Sequence, residues 1–144
     1  MSEAEILLGQ AAELGVTLDA SQAATLLRYE DLLARRAVPL GAVSRSDATR
    51  IRGRHILDCV RAAPLLHGDD VACDLGSGAG LPGIVVAVAE PLVRVLLVES
   101  RAKRAAFLEF AVQELRLSNA EVVVGRAEDL RREVDVCFAR AFAP

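Results

Sequence analysis

Long hydrophobic runs are missing from this chain. No apolar stretch reaches the roughly 18 to 20 residues that a membrane-spanning helix requires, and the first residues lack the basic-then-apolar order of a secretory signal. The expected compartment is therefore the cytoplasm, with no membrane partner. Cysteine is scarce as well: Cys59, Cys73 and Cys137 are odd in number, widely spaced and set in apolar surroundings. That pattern suggests neither a disulfide framework nor a metal site, and it reads as reduced core residues. Internal repeats and low-complexity segments are also absent. With 53% hydrophobic and 26% charged residues, the 144-residue chain reads as globular and large enough for a real core.

A net positive charge is lacking too; the formal total is −3. The charges are nevertheless segregated. Residues 1 to 33 carry Glu3, Glu5, Glu13, Asp19, Glu30 and Asp31 against Arg28 alone, whereas residues 35 to 61 carry Arg35, Arg36, Arg45, Arg50, Arg52, Arg54 and Arg61 against Asp47 and Asp58. A local basic surface binds a polyanion despite an acidic total; a solvated helical face would look the same in sequence.

The stretch that organises the rest is Val71 to Gly83, VACDLGSGAGLPG. It reads as an apolar strand ending in Asp74, a glycine-rich turn, and a helix start at Leu81 to Ile84. Gly76, Gly78 and Gly80 occupy alternate positions, where a chain reversing from strand to helix needs positive φ or close backbone approach. Residues 78 to 83 match G-x-G-x-x-G, which would place a pyrophosphate on the helix N-terminus. Asp74 argues against that ligand, since a strand-end carboxylate repels a pyrophosphate but accepts hydrogen bonds from an amino-acid ammonium near a sulfonium. A P-loop is excluded because Leu-Pro-Gly follows instead of Gly-Lys-Ser/Thr. The order acid, glycine, x, glycine therefore favours S-adenosylmethionine, with a ligand-free glycine turn as the plain alternative.

Ahead of this stretch the chain predicts helices. Ile6, Leu7, Ala11 and Leu14 mark the first, stopped at Gly15. Asp19 or Ser21 caps a second with Ala23, Leu26, Leu27, Leu33 and Ala34 as its apolar stripe and with Glu30 and Asp31 turned outward. Pro39 and Gly41 break the chain, and Asp47 caps a third helix to about Ala62, with Ile51, His55 or Ile56, and Cys59 or Val60 facing inward. From Val71 the pattern alternates: strands at 71–75, 93–99, 120–124 and 135–139, helices at 81–89 and 101–117, and a helical turn around Glu128 to Arg131. Such alternation predicts an α/β fold with a parallel sheet and ligands at the carboxyl ends of the strands. Those ends carry Asp74 and its loop, Glu99, the segment Gly125 to Asp129, and Arg140. Glu99 follows Asp74 by 25 residues, near where an acid takes a ribose diol; a place beside a helix N-cap is its alternative. Ala127 and Glu128 offer backbone groups or an acceptor to an adenine edge, or form a plain helical turn.

Taken in order, DLGSGAGLPGI, VES with KR and FL following, GRAED and ARAFA resemble the bacterial small-subunit ribosomal RNA guanine-N7 methyltransferase, the glucose-inhibited division protein B family. RHILD, residues 54 to 58, resembles the family's Arg-His-x-x-Asp segment. The resemblance implies a class I S-adenosylmethionine-dependent methyltransferase (Rossmann-like) sheet, residues 67–144, under a helical N-terminal cap, residues 1–66. It implies S-adenosylmethionine as cofactor and 16S ribosomal RNA, or the assembling small subunit, as partner. Carried over by position, Gly76 and Leu81 match cofactor-loop contacts, Ala127 and Glu128 the adenine contacts, and Arg140 an active-site contact. With the strand-end residues, the expected cofactor set is Asp74, Gly76, Gly78, Leu81, Glu99, Ala127, Glu128 and Arg140, with Arg140 also serving the reaction, and Arg50, Arg54 and His55 are the expected RNA contacts. Guanine N7 presents an unprotonated lone pair, so its methylation needs no general base. That suits a chain in which His55 has a structural explanation, bonded to Asp58 or a backbone carbonyl, and in which Cys137, the one cysteine near a strand end, lies inside the apolar run DVCFA without the proline that marks a cysteine nucleophile. Pro39-Leu40-Gly41 stands where the family usually has Asn-Leu-Thr, and the family continues beyond the position of Pro144 with strands that complete its sheet. A catalytically impaired cofactor- or RNA-binding paralogue, a truncated fragment, and self-association through an incomplete sheet are accordingly among the expectations.

Overall fold

The structure, a computed structural model, describes residues 1–140. The end of the ARAFA motif lies outside the described residues. Helix α1 (Glu3–Glu13) and helix α2 (Ala20–Leu32) each open on a reciprocal capping box, Ser2 with Glu5 and Asp19 with Gln22, which satisfies N–H groups that a helix start leaves free. Gly15, at φ +80°, carries the chain out of α1 as expected.

The second helix departs from the sequence reading. It does not break at Pro39 but continues through a π-helical stretch, Leu33–Ala37, into α3 (Val38–Leu40) and ends at Gly41, φ +80°. The Val38 N–H reaches back five residues to the Leu33 carbonyl, a wider turn that absorbs the register change ahead of the missing Pro39 N–H. Its buried stripe is Ala23, Leu26, Tyr29, Leu33 and Ala37, whereas Ala34, expected inside, is exposed. Glu30, expected outside, is partly covered because Arg52 grips it.

After a 3-10 turn at Arg45–Asp47, a π-helical segment, Arg52–Ile56, leads into α4 (Leu57–Val60). Ile51, Ile56, Cys59 and Val60 face the core. Asp47 lies within the 3-10 turn rather than capping this helix. Arg52 bonds Glu30 at 2.8 Å and Glu3 at 2.6 Å, tying α1, α2 and the third helical segment together. Part of the segregated charge thus pairs within the helical layer.

The remainder is a four-stranded, wholly parallel sheet in the order β3-β2-β1-β4, from β1 (Val71–Leu75), β2 (Arg94–Glu99), β3 (Ala120–Val124) and β4 (Val136–Ala139). Helices α5 (Gly83–Ala89) and α6 (Ala102–Glu114) follow β1 and β2. β2 is buried from Val95 to Glu99, as its unbroken apolar run predicts. All seven residues of α5 are buried, because one side packs on β1 and β2 and the other meets α2 and α4; an all-apolar GIVVAVA is the composition such a helix requires. One hydrophobic cluster therefore runs from Leu7 through α5 to Leu115. β4 stands at an edge of the described sheet with Cys137 exposed, contrary to its expected core position, while Cys59 and Cys73 are buried.

Candidate functional site at the strand ends

The glycine loop leaves β1 with Gly76, Gly78 and Gly80 at φ +63°, +60° and +92°, the left-handed region that non-glycine residues rarely tolerate. The glycines differ in what surrounds them. A Cβ on Gly78 would meet nothing closer than the Gly76 carbonyl at 3.8 Å, so this position borders free space, whereas one on Gly80 would lie 2.5 Å from Ile84 Cδ1. On Gly83 a Cβ would overlap Leu97 Cδ2 and sit 2.7 Å from Asp74 Oδ2. Gly83 is thus the glycine that lets helix and strand touch.

Two carboxylates hold the loop. Asp74, only 1% exposed, accepts from the Ser77 hydroxyl at 2.8 Å and the Gly83 N–H at 2.9 Å, both on Oδ2. Its Oδ1 is buried with no hydrogen-bond partner. Burial pushes the carboxyl up to about 6, against those hydrogen bonds. Glu99, at the end of β2, accepts from the Gly78 N–H and the Arg101 N–H, each at 2.8 Å. The Gly80 N–H goes to the Ser77 carbonyl at 2.8 Å and the Ile84 N–H to the Gly80 carbonyl at 2.7 Å. The N–H groups that a pyrophosphate would take at residues 78, 80 and 83 are therefore already used within the loop. Leu81 is buried immediately after it.

The third strand end lies beside the second. The Gly125 N–H donates to the Glu99 carbonyl at 3.0 Å, and Ala127 and Glu128 follow in a 3-10 turn, Ala127–Asp129. Glu128 is exposed and faces Arg126 at 3.5 Å.

At the fourth strand end, Arg140 reaches the other layer. Its guanidinium donates to the Arg54 carbonyl at 3.1 Å and to Cys59 Sγ at 3.4 Å, and lies 3.6 Å from Asp58. Beside it, Arg54, His55, Asp47, Asp58 and Gly53 line a polar cavity of about 380 Å³. Asp47 is the hub: His55 Nε2 lies 3.2 Å from its Oδ2, with Arg54 at 3.5 Å and Arg50 at 3.8 Å from Oδ1. The expected His55 partner, Asp58 or a backbone carbonyl, is thus Asp47 instead. Burial, with Arg140 nearby, lowers the His55 pKa in spite of Asp47. The structure gathers Asp74, Gly78 and Glu99 into one bonded loop and joins Arg140 to the Arg54 segment. Ser77 and Tyr29 also contact this loop. Tyr29 sits three residues after Leu26 and four before Leu33, a spacing that marks it as inward-facing.

The family model of GidB, rRNA small subunit methyltransferase G, matches residues 22–144. The chain belongs to the GidB family. Among its GidB relatives, the ribosomal RNA small subunit methyltransferase G of Acidothermus cellulolyticus is 40% identical over 119 residues, which cover 83% of this chain and 54% of that protein. The namesake from Nitrosospira multiformis is 42% identical over 147 residues, covering 99% of this chain and 67% of that one. This GidB chain spans about half the length of several of these relatives, 54% and 48% for those from A. cellulolyticus and Nocardioides. In fold it is similar to coclaurine N-methyltransferase, solved with N-methylheliamine and SAH, at TM-score 0.54 and 14% identity over 94% of this chain and 50% of that one. The class I Rossmann-like expectation agrees with the parallel sheet.

The buried Asp74 also sets a pH dependence. Because its folded pKa, about 6, exceeds the unfolded 3.8, its contribution favours folding at low pH and is lost as pH rises through 6. A shift of this size corresponds to about 3 kcal/mol. Asp74→Asn keeps an acceptor for Ser77 and Gly83, and its stability is expected to exceed that of the parent increasingly between pH 4 and 7. Urea unfolding at several pH values measures this; parallel pH profiles would refute it.

Proposed function

We propose that this GidB-family chain carries the donor site and acceptor-facing helices of an S-adenosylmethionine-dependent methyltransferase acting on guanine N7 in 16S ribosomal RNA or the assembling small subunit. The supporting observation is the unpartnered, buried Asp74 oxygen beside a glycine loop whose Gly78 and Gly83 N–H groups are held by carboxylates. Such a site disfavours a pyrophosphate and suits a cationic amino-acid ligand. When bound, S-adenosylmethionine supplies an electrophilic methyl group. In this reading Asp74 receives the ammonium, the backbone of Gly76, Gly78 and Leu81 lines the ligand, Glu99 keeps the loop closed and offers its remaining lone pairs to a ribose, and Ala127 and Glu128 meet the adenine. Residues 67–144 form the donor-binding core and residues 1–66 the cap.

The acceptor side is read from the polar cavity. Arg54 and His55 line it on the cap, with Arg50 beside them against Asp47, and Arg140 lines it from the sheet. N7 attack needs orientation rather than proton removal, and positioning alone supplies roughly 7 to 11 kcal/mol in the best intramolecular cases. The chemistry around the site agrees: His55 is engaged by Asp47, and burial pushes the Cys59 and Cys73 thiols up to about 12 and 11, so neither supplies a thiolate at neutral pH. With ribosomal RNA as substrate, the cytoplasm is the proposed compartment; no helix among the described residues is long and apolar enough to cross a membrane.

A second reading, a cofactor- or RNA-binding protein with impaired catalysis, draws on Pro39-Leu40-Gly41, which closes a helix and brings no polar side chain there. Calorimetry with S-adenosylmethionine, followed by transfer of labelled methyl to small-subunit RNA, separates the two. Donor binding is expected, and Glu99→Ala is expected to weaken it by about 1 to 3 kcal/mol, the cost of removing a charged acceptor. Unchanged affinity would remove Glu99 from the site; binding without transfer would favour the second reading.

RNA affinity is expected to fall with salt as neutralised phosphates release counterions. Arg54→Glu is expected to flatten that dependence in filter-binding titrations, and a slope equal to the parent's would return Arg54 to a role limited to pairing Asp47. Self-association through β4, an edge strand among the described residues, is part of the same proposal, since an edge strand presents unpaired backbone groups. Sedimentation velocity is expected to show a concentration-dependent dimer, and a monomer at all concentrations would refute it.

A further inference from the structure

We infer that Tyr29, on α2 of the cap, is a positioning residue for the donor loop: its hydroxyl selects one orientation of the Ala79–Gly80 peptide. This rests on the reading of the loop as the S-adenosylmethionine site. Tyr29 is fully buried, 50 residues before the group it bonds, and its hydroxyl donates to the Ala79 carbonyl at 2.6 Å. Burial raises its own pKa well above the usual phenol value, so the O–H remains a donor at all working pH.

The position of that carbonyl gives the bond its consequence. Ala79 lies between Gly78 and Gly80, both at positive φ. A peptide that leads into glycine rotates at little steric expense, so the direction of the 79–80 carbonyl and N–H is left to their hydrogen bonds. With the carbonyl bonded inward to Tyr29, the Gly80 N–H closes onto the Ser77 carbonyl, and Ser77 in turn donates to Asp74. The hydroxyl is also 3.1 Å from where a Gly80 Cβ would stand, so it fills the space on that side of the loop. Removing it leaves a buried carbonyl unsatisfied, and rotating the peptide is the available relief. The cap thereby becomes part of the donor site without touching the donor.

Tyr29 is the only tyrosine in a chain without tryptophan, which makes the test direct. Tyr29→Phe keeps the ring and deletes the bond. S-adenosylhomocysteine affinity, measured by calorimetry where circular dichroism shows both proteins folded, is expected to fall about tenfold. Leu26→Ala, another buried position on α2, is expected to lower the melting temperature at least as much while leaving affinity within twofold. Amide exchange at Gly80 is expected to accelerate in Tyr29→Phe and not in Leu26→Ala. A Tyr29→Phe protein that melts lower yet binds the probe like the parent would overturn the inference. Should Tyr29→Phe not fold, the parent with 13C-labelled tyrosine decides: its single ring signal is expected to shift as the probe saturates, and a stationary signal would overturn the inference. Absence of probe binding by the parent would instead refute the donor-site reading itself.

Discussion

The Gly83 N–H bonded to Asp74 Oδ2 joins the first turn of α5 to the end of β1, and it forms only because residue 83 has no side chain. Any Cβ there would occupy the space of Leu97 and of the carboxylate itself. Helix α5 can then lie against β1 and β2 with every residue buried, and a helix so apolar needs a second covering layer. Helices α2 and α4 supply it. The cap is a consequence of that close approach as much as an added module, and a single core runs through both layers.

The same carboxylate decides which ligands suit the loop. Asp74 spends one oxygen on the loop and leaves the other buried and unpartnered, at an energetic cost visible in its raised pKa. Glu99 occupies the Gly78 N–H from the opposite side. A helix N-terminus behind a G-x-G-x-x-G sequence ordinarily attracts phosphate through free N–H groups; here acids have taken that place. A cationic group beside the free Asp74 oxygen would offset that buried charge.

Hydrogen bonds from three side chains are among those that connect cap and sheet. Gln22 reaches the carbonyls of Val88 and Ala89 at the end of α5, Tyr29 reaches Ala79 in the loop, and Arg140 returns from β4 to the Arg54 carbonyl. Each satisfies a backbone carbonyl on the opposite layer. The cavity holding Arg54, His55 and Arg140 therefore belongs to neither layer alone, and the cap arginines are held in register with the strand ends.

Much of this was legible along the chain wherever the determining interaction is local. The cap at Asp19, the stop at Gly15, the positive φ of the loop glycines, and the strand and helix periods from Val71 onward depend on neighbours a few residues away, and a parallel sheet follows from their alternation. The places of Asp74 and Glu99 at strand ends were likewise readable from the chain. What the sequence left open depends on which distant surface a residue meets. The passage of α2 through Pro39, the outward turn of Ala34, the bond from Tyr29 to the Ala79 carbonyl, and the gathering of Arg50, Arg54 and His55 around Asp47 are of this kind. So is the division of the glycines, Gly78 bordering open space while Gly80 and Gly83 are filled by Ile84 and Leu97, because chain spacing records where a turn bends but not what is packed against its outer side.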